Sequence, residues 1–144
     1  MSSEANKELI RRFYDEVWNK GNTDFAFEVF AEGYVRHDLR PGNPTGGPAG
    51  QKQVADDFRA AFPDVKQEID FMVAEGEIVV ARWMMQGTNT GQWGKQPPTG
   101  KFVKIAGVNI FRFADGKVVE IWNHRDDLGM MQQLDAPIYA RSSR

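Results

Sequence analysis

The sequence contains no cysteine, which removes thiol nucleophiles, thiolate metal sites and disulfide staples from consideration. Histidine is nearly as scarce, at 2 in 144 residues. Neither H-x-H nor H-E-x-x-H occurs, so no spacing supports a metal set of His37, His124 and Asp126, and no metal or other cofactor is expected. Both glycine-rich phosphate signatures, G-x-G-x-x-G and G-x-x-x-x-G-K-[ST], are missing. There is no excess of one charge: 18 basic residues stand against 20 acidic, a formal balance of −2. Without a basic footprint to offset phosphate, nucleic acid is not an expected partner. No apolar run approaches the roughly 20 residues of a membrane span. The start, Met1-Ser2-Ser3-Glu4, lacks the basic and greasy parts of a signal peptide, so the expected location is cytoplasmic. What is present, 41% hydrophobic and 26% charged residues, fits one domain over residues 1–144 with a single sizeable core.

The first half reads as helices. Leu9, Ile10, Phe13, Tyr14, Val17 and Trp18 recur at helical spacing on one broad face, and Gly21 with Asn22 stops the run. Thr23 and Asp24 look like the cap of a shorter helix carrying Phe25, Phe27, Val29 and Phe30. From Arg36 to Gly50, Pro41, Gly42, Asn43, Pro44, Thr45, Gly46, Gly47, Pro48 and Gly50 exclude regular structure and leave a loop long enough to cover a site. A third helix carries Val54, Phe58, Ala61 and Phe62 on one side and ends at Pro63. The period then changes. Val65 to Val73, Glu77 to Gln86, Phe102 to Phe113 and Lys117 to Arg125 read as strands, separated by Glu75-Gly76, the Gly87 to Gly100 stretch and Asp115-Gly116. Asp127 is the expected cap of a last short helix beginning near Leu128. Helices followed by consecutive strands give an α+β class with a mostly antiparallel sheet.

Strict alternation along the last strand puts Val118, Glu120, Trp122, His124 and Asp126 on one face. On the strand before it, Val103, Ile105, Gly107, Asn109, Phe111 and Phe113 share a side. If those faces meet, Asn109, His124 and Asp126 form a small polar group inside an aromatic wall of Trp83, Phe111 and Trp122, the pattern of a small-molecule site. An Asp placed there would have its pKa raised by desolvation, which suits a general acid and base. The competing reading of His124, Arg125 and Asp126 is a surface ion network. His37 either faces the pocket mouth or anchors the loop that follows it, and Trp93 is either a lid or an exposed contact.

Gly87-Thr88-Asn89-Thr90-Gly91, Gly94, Pro97-Pro98-Thr99-Gly100-Lys101, Ile110-Phe111-Arg112-Phe113, Asp115-Gly116-Lys117-Val118, Glu120, Trp122 and Asp126, in that order and spacing, resemble the SnoaL-like polyketide cyclases, also called ester cyclases. Phe13-Tyr14, Trp18 and the Tyr34-Val35-Arg36-His37-Asp38 stretch extend the resemblance to nearly the whole chain. It implies the cone-shaped α+β barrel of ketosteroid isomerase and nuclear transport factor 2, with N-terminal helices packed on a strongly curved sheet. It also implies a cofactor-free enzyme that closes the last ring of polyaromatic antibiotics by intramolecular aldol condensation, with Asp126 at the position of the acid/base. The family's pocket histidine falls at Asn109, a departure that His124 or His37 would have to make good. Asn109 and His124 are then expected to polarise the substrate, with His37, Trp83, Phe111 and Trp122 binding it. The expected partners are a hydrophobic polycarbonyl or aromatic substrate and further copies of the chain in a homodimer or homotetramer. Two alternatives stay open: an isomerase or epoxide hydrolase, the latter needing an Arg between two Asp that this sequence does not offer, and a non-catalytic small-molecule-binding protein.

Overall fold

A computed structural model describes residues 2–37 and 46–136. The expected loop residues Pro41 to Thr45, and Asp38 before them, lie outside the described residues. Helix α1 (Ser3–Phe13) starts where the Ser2 Oγ accepts the Ala5 N–H at 3.1 Å. Its last turn carries Arg11 and Arg12, cations suited to the negative end of the helix dipole. The backbone then widens into a π-helical segment, Tyr14–Asn19, before the expected stop at Gly21. A 3-10 turn (Thr23–Phe25) leads into the short α2 (Ala26–Val29). Thr23 and Asp24 do not cap it: Phe25 holds the cap position of α2 and Asn22 that of the 3-10 turn, and the Thr23 Oγ1 accepts from the Lys52 ammonium at 2.9 Å.

Strand β1 (Phe30–His37) was not expected from the sequence. Its register slips between Phe30 and Val35, so the buried residues are Phe30 and Tyr34, whose rings lie 4.8 Å apart. That spacing of four mimics a helix and hides the strand's period. Helix α3 (Gly47–Ala61) opens with Pro48 in its first turn, where a missing N–H costs nothing, and buries Ala55, Phe58 and Ala61. The remaining strands are β2 (Lys66–Glu75), β3 (Ile78–Thr88), β4 (Phe102–Ala114) and β5 (Lys117–Arg125), close to the expected bounds. Asp115 at φ 52° and Gly116 at φ 79° make the tight turn between β4 and β5 that the Asp-Gly pair announced.

The strand order is β1-β5-β4-β3-β2, with β1 parallel to β5 and every other pair antiparallel. This is the expected α+β architecture, with a sheet that stays open at β1 and β2 rather than closing on itself. One face of the sheet, through Val79, Ala81, Trp83, Met85, Val103, Ile105, Phe111, Val118 and Ile121, packs against Ile10, Phe13, Tyr14, Val17, Phe58 and Phe62 of the helical layer. Each fully buried Phe or Ile here contributes on the order of 1.5–3 kcal/mol. Helix α4 (Asp127–Leu134) follows β5, and the Gln133 side chain takes both backbone groups of Lys104, accepting its N–H at 2.7 Å and donating to its carbonyl at 2.9 Å. The first turn is capped by Asp126, one residue earlier than expected, while Asp127 lies inside the helix and pairs with Arg125.

Candidate active site

The cavity is built on cross-strand rows of the inner face. Along β3 and β4 alternation is unbroken, so Trp83, Asn109 and Phe111 point inward as the pattern requires. On β5 it is broken. Arg112 pairs with Glu120 but Phe113 pairs with Val118, so Val119 is an extra residue bulged out of the ladder. Downstream of it every side chain changes face. Val118 and Ile121 are both buried, and Ile121, Asn123 and Arg125 line the cavity.

The expected site is therefore redistributed. Glu120, Trp122 and His124 are displaced to the outer face by the bulge. His124 and Asp126 are exposed, and the Asp126 Oδ1 accepts the Gly129 N–H at 2.9 Å as the helix cap. His37 does not reach the cavity: its Nε2 meets the Glu120 Oε2 at 2.9 Å, and its ring stacks on Trp122 with centroids 4.8 Å apart. The same carboxylate takes the Arg112 Nε–H, and these two partners, His37 first, hold the Glu120 carboxyl below the ordinary range. Phe111 lies one row away from the cavity, edge-on to Phe13 and Tyr14. Of the seven expected side chains, Asn109 and Trp83 line the cavity. The residues missed were Arg36, Gln51, Gln67, Asn123 and Arg125. One signal was available, since strict alternation put Glu120 on the face of buried Val118, a conflict that an extra residue resolves.

The cavity opens to solvent, and the space between its walls out to that opening is about 490 Å³. Two rows carry its polar groups. In the first, Trp83, Gly107 and Arg125 are paired in sequence across β3, β4 and β5. A Cβ on residue 107 would lie 2.2 Å from the Trp83 Cζ2, so the indole lies across β4 only because that position is glycine. The Trp83 Nε1–H is buried with no acceptor among the described residues. Arg125 donates its Nε–H to the Asp127 Oδ1 at 2.6 Å, and its guanidinium carbon stands 5.1 Å from the Trp93 ring and 5.8 Å from that of Phe58. Trp93 thus packs against Phe58, Phe62 and Arg125.

In the second row, Asn109 faces Asn123. The Tyr14 O–H, delivered by the π-helical segment, donates to the Asn109 Oδ1 at 2.6 Å, and the Asn109 Nδ2–H donates to the Asn123 Oδ1 at 2.7 Å. Burial pushes the Tyr14 phenol well above its usual range, so it keeps its proton and the chain of donors has one direction. On the opposite wall Asn19 clamps the Gln67 backbone, accepting its N–H at 2.7 Å and donating to its carbonyl at 2.9 Å. The Gln67 Oε1 is buried without a donor. Arg36 donates from Nη1 to the Gln51 Oε1 at 3.0 Å.

A family model for the SnoaL-like polyketide cyclases matches residues 8–134. The chain belongs to this family. A solved structure described as a candidate polyketide cyclase from Acidithiobacillus ferrooxidans is 33% identical, with a TM-score of 0.78, 94% of this chain and 98% of that one being covered. A candidate SnoaL-like polyketide cyclase from Jannaschia sp. CCS1 is 26% identical at a TM-score of 0.82, covering 94% and 95%. TsrD from Streptomyces laurentii superposes with a TM-score of 0.86 over 95% of this chain and 99% of its own, at 23% identity, which speaks for the fold alone. Among curated proteins nothing matches significantly.

For this SnoaL-like chain the cavity wall has a definite chemical character. Among the described residues it carries two guanidinium groups and four side-chain amides, set among aromatic and aliphatic surfaces, and no Asp, Glu or His. No group of three or more His, Asp or Glu that could hold a metal occurs among the described residues. No helix among them is long and apolar enough to cross a membrane. Such a wall can desolvate a flat organic molecule and hydrogen-bond its oxygens, but offers no side chain that exchanges a proton near neutral pH.

Proposed function

We propose that the cavity binds a hydrophobic polycarbonyl or aromatic compound and promotes its ring closure by intramolecular aldol condensation, holding and polarising the substrate without a carboxylate base. The observation that carries this reading is the donor-rich, carboxylate-free wall around Trp83, Asn109, Asn123 and Arg125. A carbon flanked by two carbonyls is already acidic. Hydroxide from solvent removes its proton, and the enolate oxygen is stabilised by the amide and guanidinium donors. The enolate carbon then bonds to a remote carbonyl carbon of the same molecule, and the resulting alkoxide takes a proton from water. General acid–base help is worth about 10²–10⁴-fold. Effective molarities of well-oriented intramolecular reactions reach about 10⁵–10⁸ M. Because both carbons already share one molecule, the cavity supplies the part of that advantage lost to the freedom of the open chain, and orientation with donor stabilisation of the enolate requires no side-chain base.

The test is a pH–rate profile with a poly-β-carbonyl aromatic substrate. In this reading kcat/KM rises steadily with pH through and beyond the carboxylate range. A plateau set by a group titrating in that range would overturn it. The same wall favours a second reading, a binding protein of the same fold, which would show saturable binding with no turnover at any pH.

A further inference from the structure

The first row of the cavity has more donors than the protein gives work to. Arg125 uses only its Nε–H on Asp127, and its side chain is 16% exposed. Its guanidinium carbon lies over the rings of Trp93 and Phe58, and no acceptor among the described residues takes its Nη hydrogens. The Trp83 indole lies over Gly107, the residue paired with Arg125, and its buried Nε1–H is unmet. The one unmet buried acceptor among the lining residues is the Gln67 Oε1. Buried polar groups in folded proteins find partners, and an unmet donor and acceptor in one concave site describe the complement they are built for.

We infer that the ligand is an aromatic hydroxy acid whose carboxylate sits against the Arg125 Nη edge and the Trp83 indole N–H, with a hydroxyl donating to the Gln67 Oε1. The inference rests on the small-molecule reading of this cavity and narrows it to the free acid rather than a neutral ester. A carboxylate only accepts, offering about four lone pairs to the N–H groups of this row. A hydrogen bond between guanidinium and carboxylate is roughly twice as strong as one between neutral groups. An ester carbonyl accepts without the charge, and its alkoxy group would be pressed against the guanidinium edge. Asp127 does not compete for that edge. It holds Arg125 from the Nε side and keeps its guanidinium over the two rings.

Isothermal titration with 6-hydroxy-2-naphthoate and with its methyl ester tests the assignment. The unmodified chain should bind the acid about tenfold or more tightly than the ester, the fold-change of one hydrogen bond to a charged group. Arg125→Gln should remove that preference by weakening the acid far more than the ester, an unfolding midpoint equal to that of the unmodified chain serving as the control for folding. Trp83→Phe should also weaken the acid, while Arg112→Gln, on the outer face, should change neither affinity. Equal affinity for acid and ester, or a preference that survives Arg125→Gln, would overturn the inference and leave the cavity reading standing. Failure of both compounds to bind would overturn the cavity reading and this inference with it.

Discussion

Asp126 carries the greatest consequence of any single residue, because the resemblance makes it the acid/base and the structure makes it a cap. Its Oδ1 accepts the Gly129 N–H, and glycine at 129 is what allows the approach, since a Cβ there would lie 2.2 Å from the Asp126 Oδ2. Asn caps about as well as Asp, whereas Ala costs about 1 kcal/mol. Asp126→Asn is therefore expected to leave unfolding midpoint and turnover unchanged, and Asp126→Ala to lower the midpoint in urea without altering ligand affinity. A loss of turnover in Asp126→Asn with stability intact would return the carboxyl to the reaction. Asn109 and Trp83 were legible from the sequence because β3 and β4 alternate without interruption. Arg125 and Asn123 were not, because their direction is fixed by the residue count upstream and not by their own chemistry.

Among the elements, the corner between α3 and β3 offers a direct measure of electrostatics. The Asp64 carboxylate accepts the Thr88 N–H at 2.7 Å and its hydroxyl at 2.8 Å, and the backbone bond, ahead of the hydroxyl, holds its carboxyl below the usual range. A carboxyl whose folded pKa is depressed stabilises the fold above its ordinary pKa and loses that contribution as pH falls through the folded value. The Tm difference between the unmodified chain and Asp64→Asn should stay constant at neutral pH and shrink on acidification below the carboxylate range. A difference that grew with acid would contradict the assignment. The same corner holds the loop before β4, where the Asn89 Nδ2–H reaches the Ala61 carbonyl and Gly91 fits against Ala60, whose oxygen would lie 2.0 Å from a Cβ. Element existence was readable wherever the period was long and regular. Strand β1 escaped because its irregular pairing spaces the buried rings of Phe30 and Tyr34 four apart, and the π-helical turn escaped because its residues alone do not distinguish it from the α-helix it continues.

At the scale of the whole molecule, no element among the described residues covers the outer face of the sheet. Val80, Met84, Val108 and Ile110 are half-buried there, and Phe71 and Val73 are 54% and 56% exposed. Apolar surface of this kind marks an association site. The charges around it, Asp70 with Arg82 and Arg112 with Glu120, carry both signs, so a second copy related by a twofold axis can meet them with opposite charge. Sedimentation should show a dimer or tetramer, and Ile110→Glu should shift it toward monomer while leaving the cavity's affinity intact. A monomeric unmodified chain would refute the expectation. The bulge at Val119 has a reach beyond its own strand. Were the ladder to run straight through Val119 with no bulge, the C-terminal half of the ribbon would turn inside out, presenting Glu120, Trp122 and His124 to the cavity and sending Asn123 and Arg125 to water. One irregularity of pairing thus sets the electrical sign of the cavity's β5 wall.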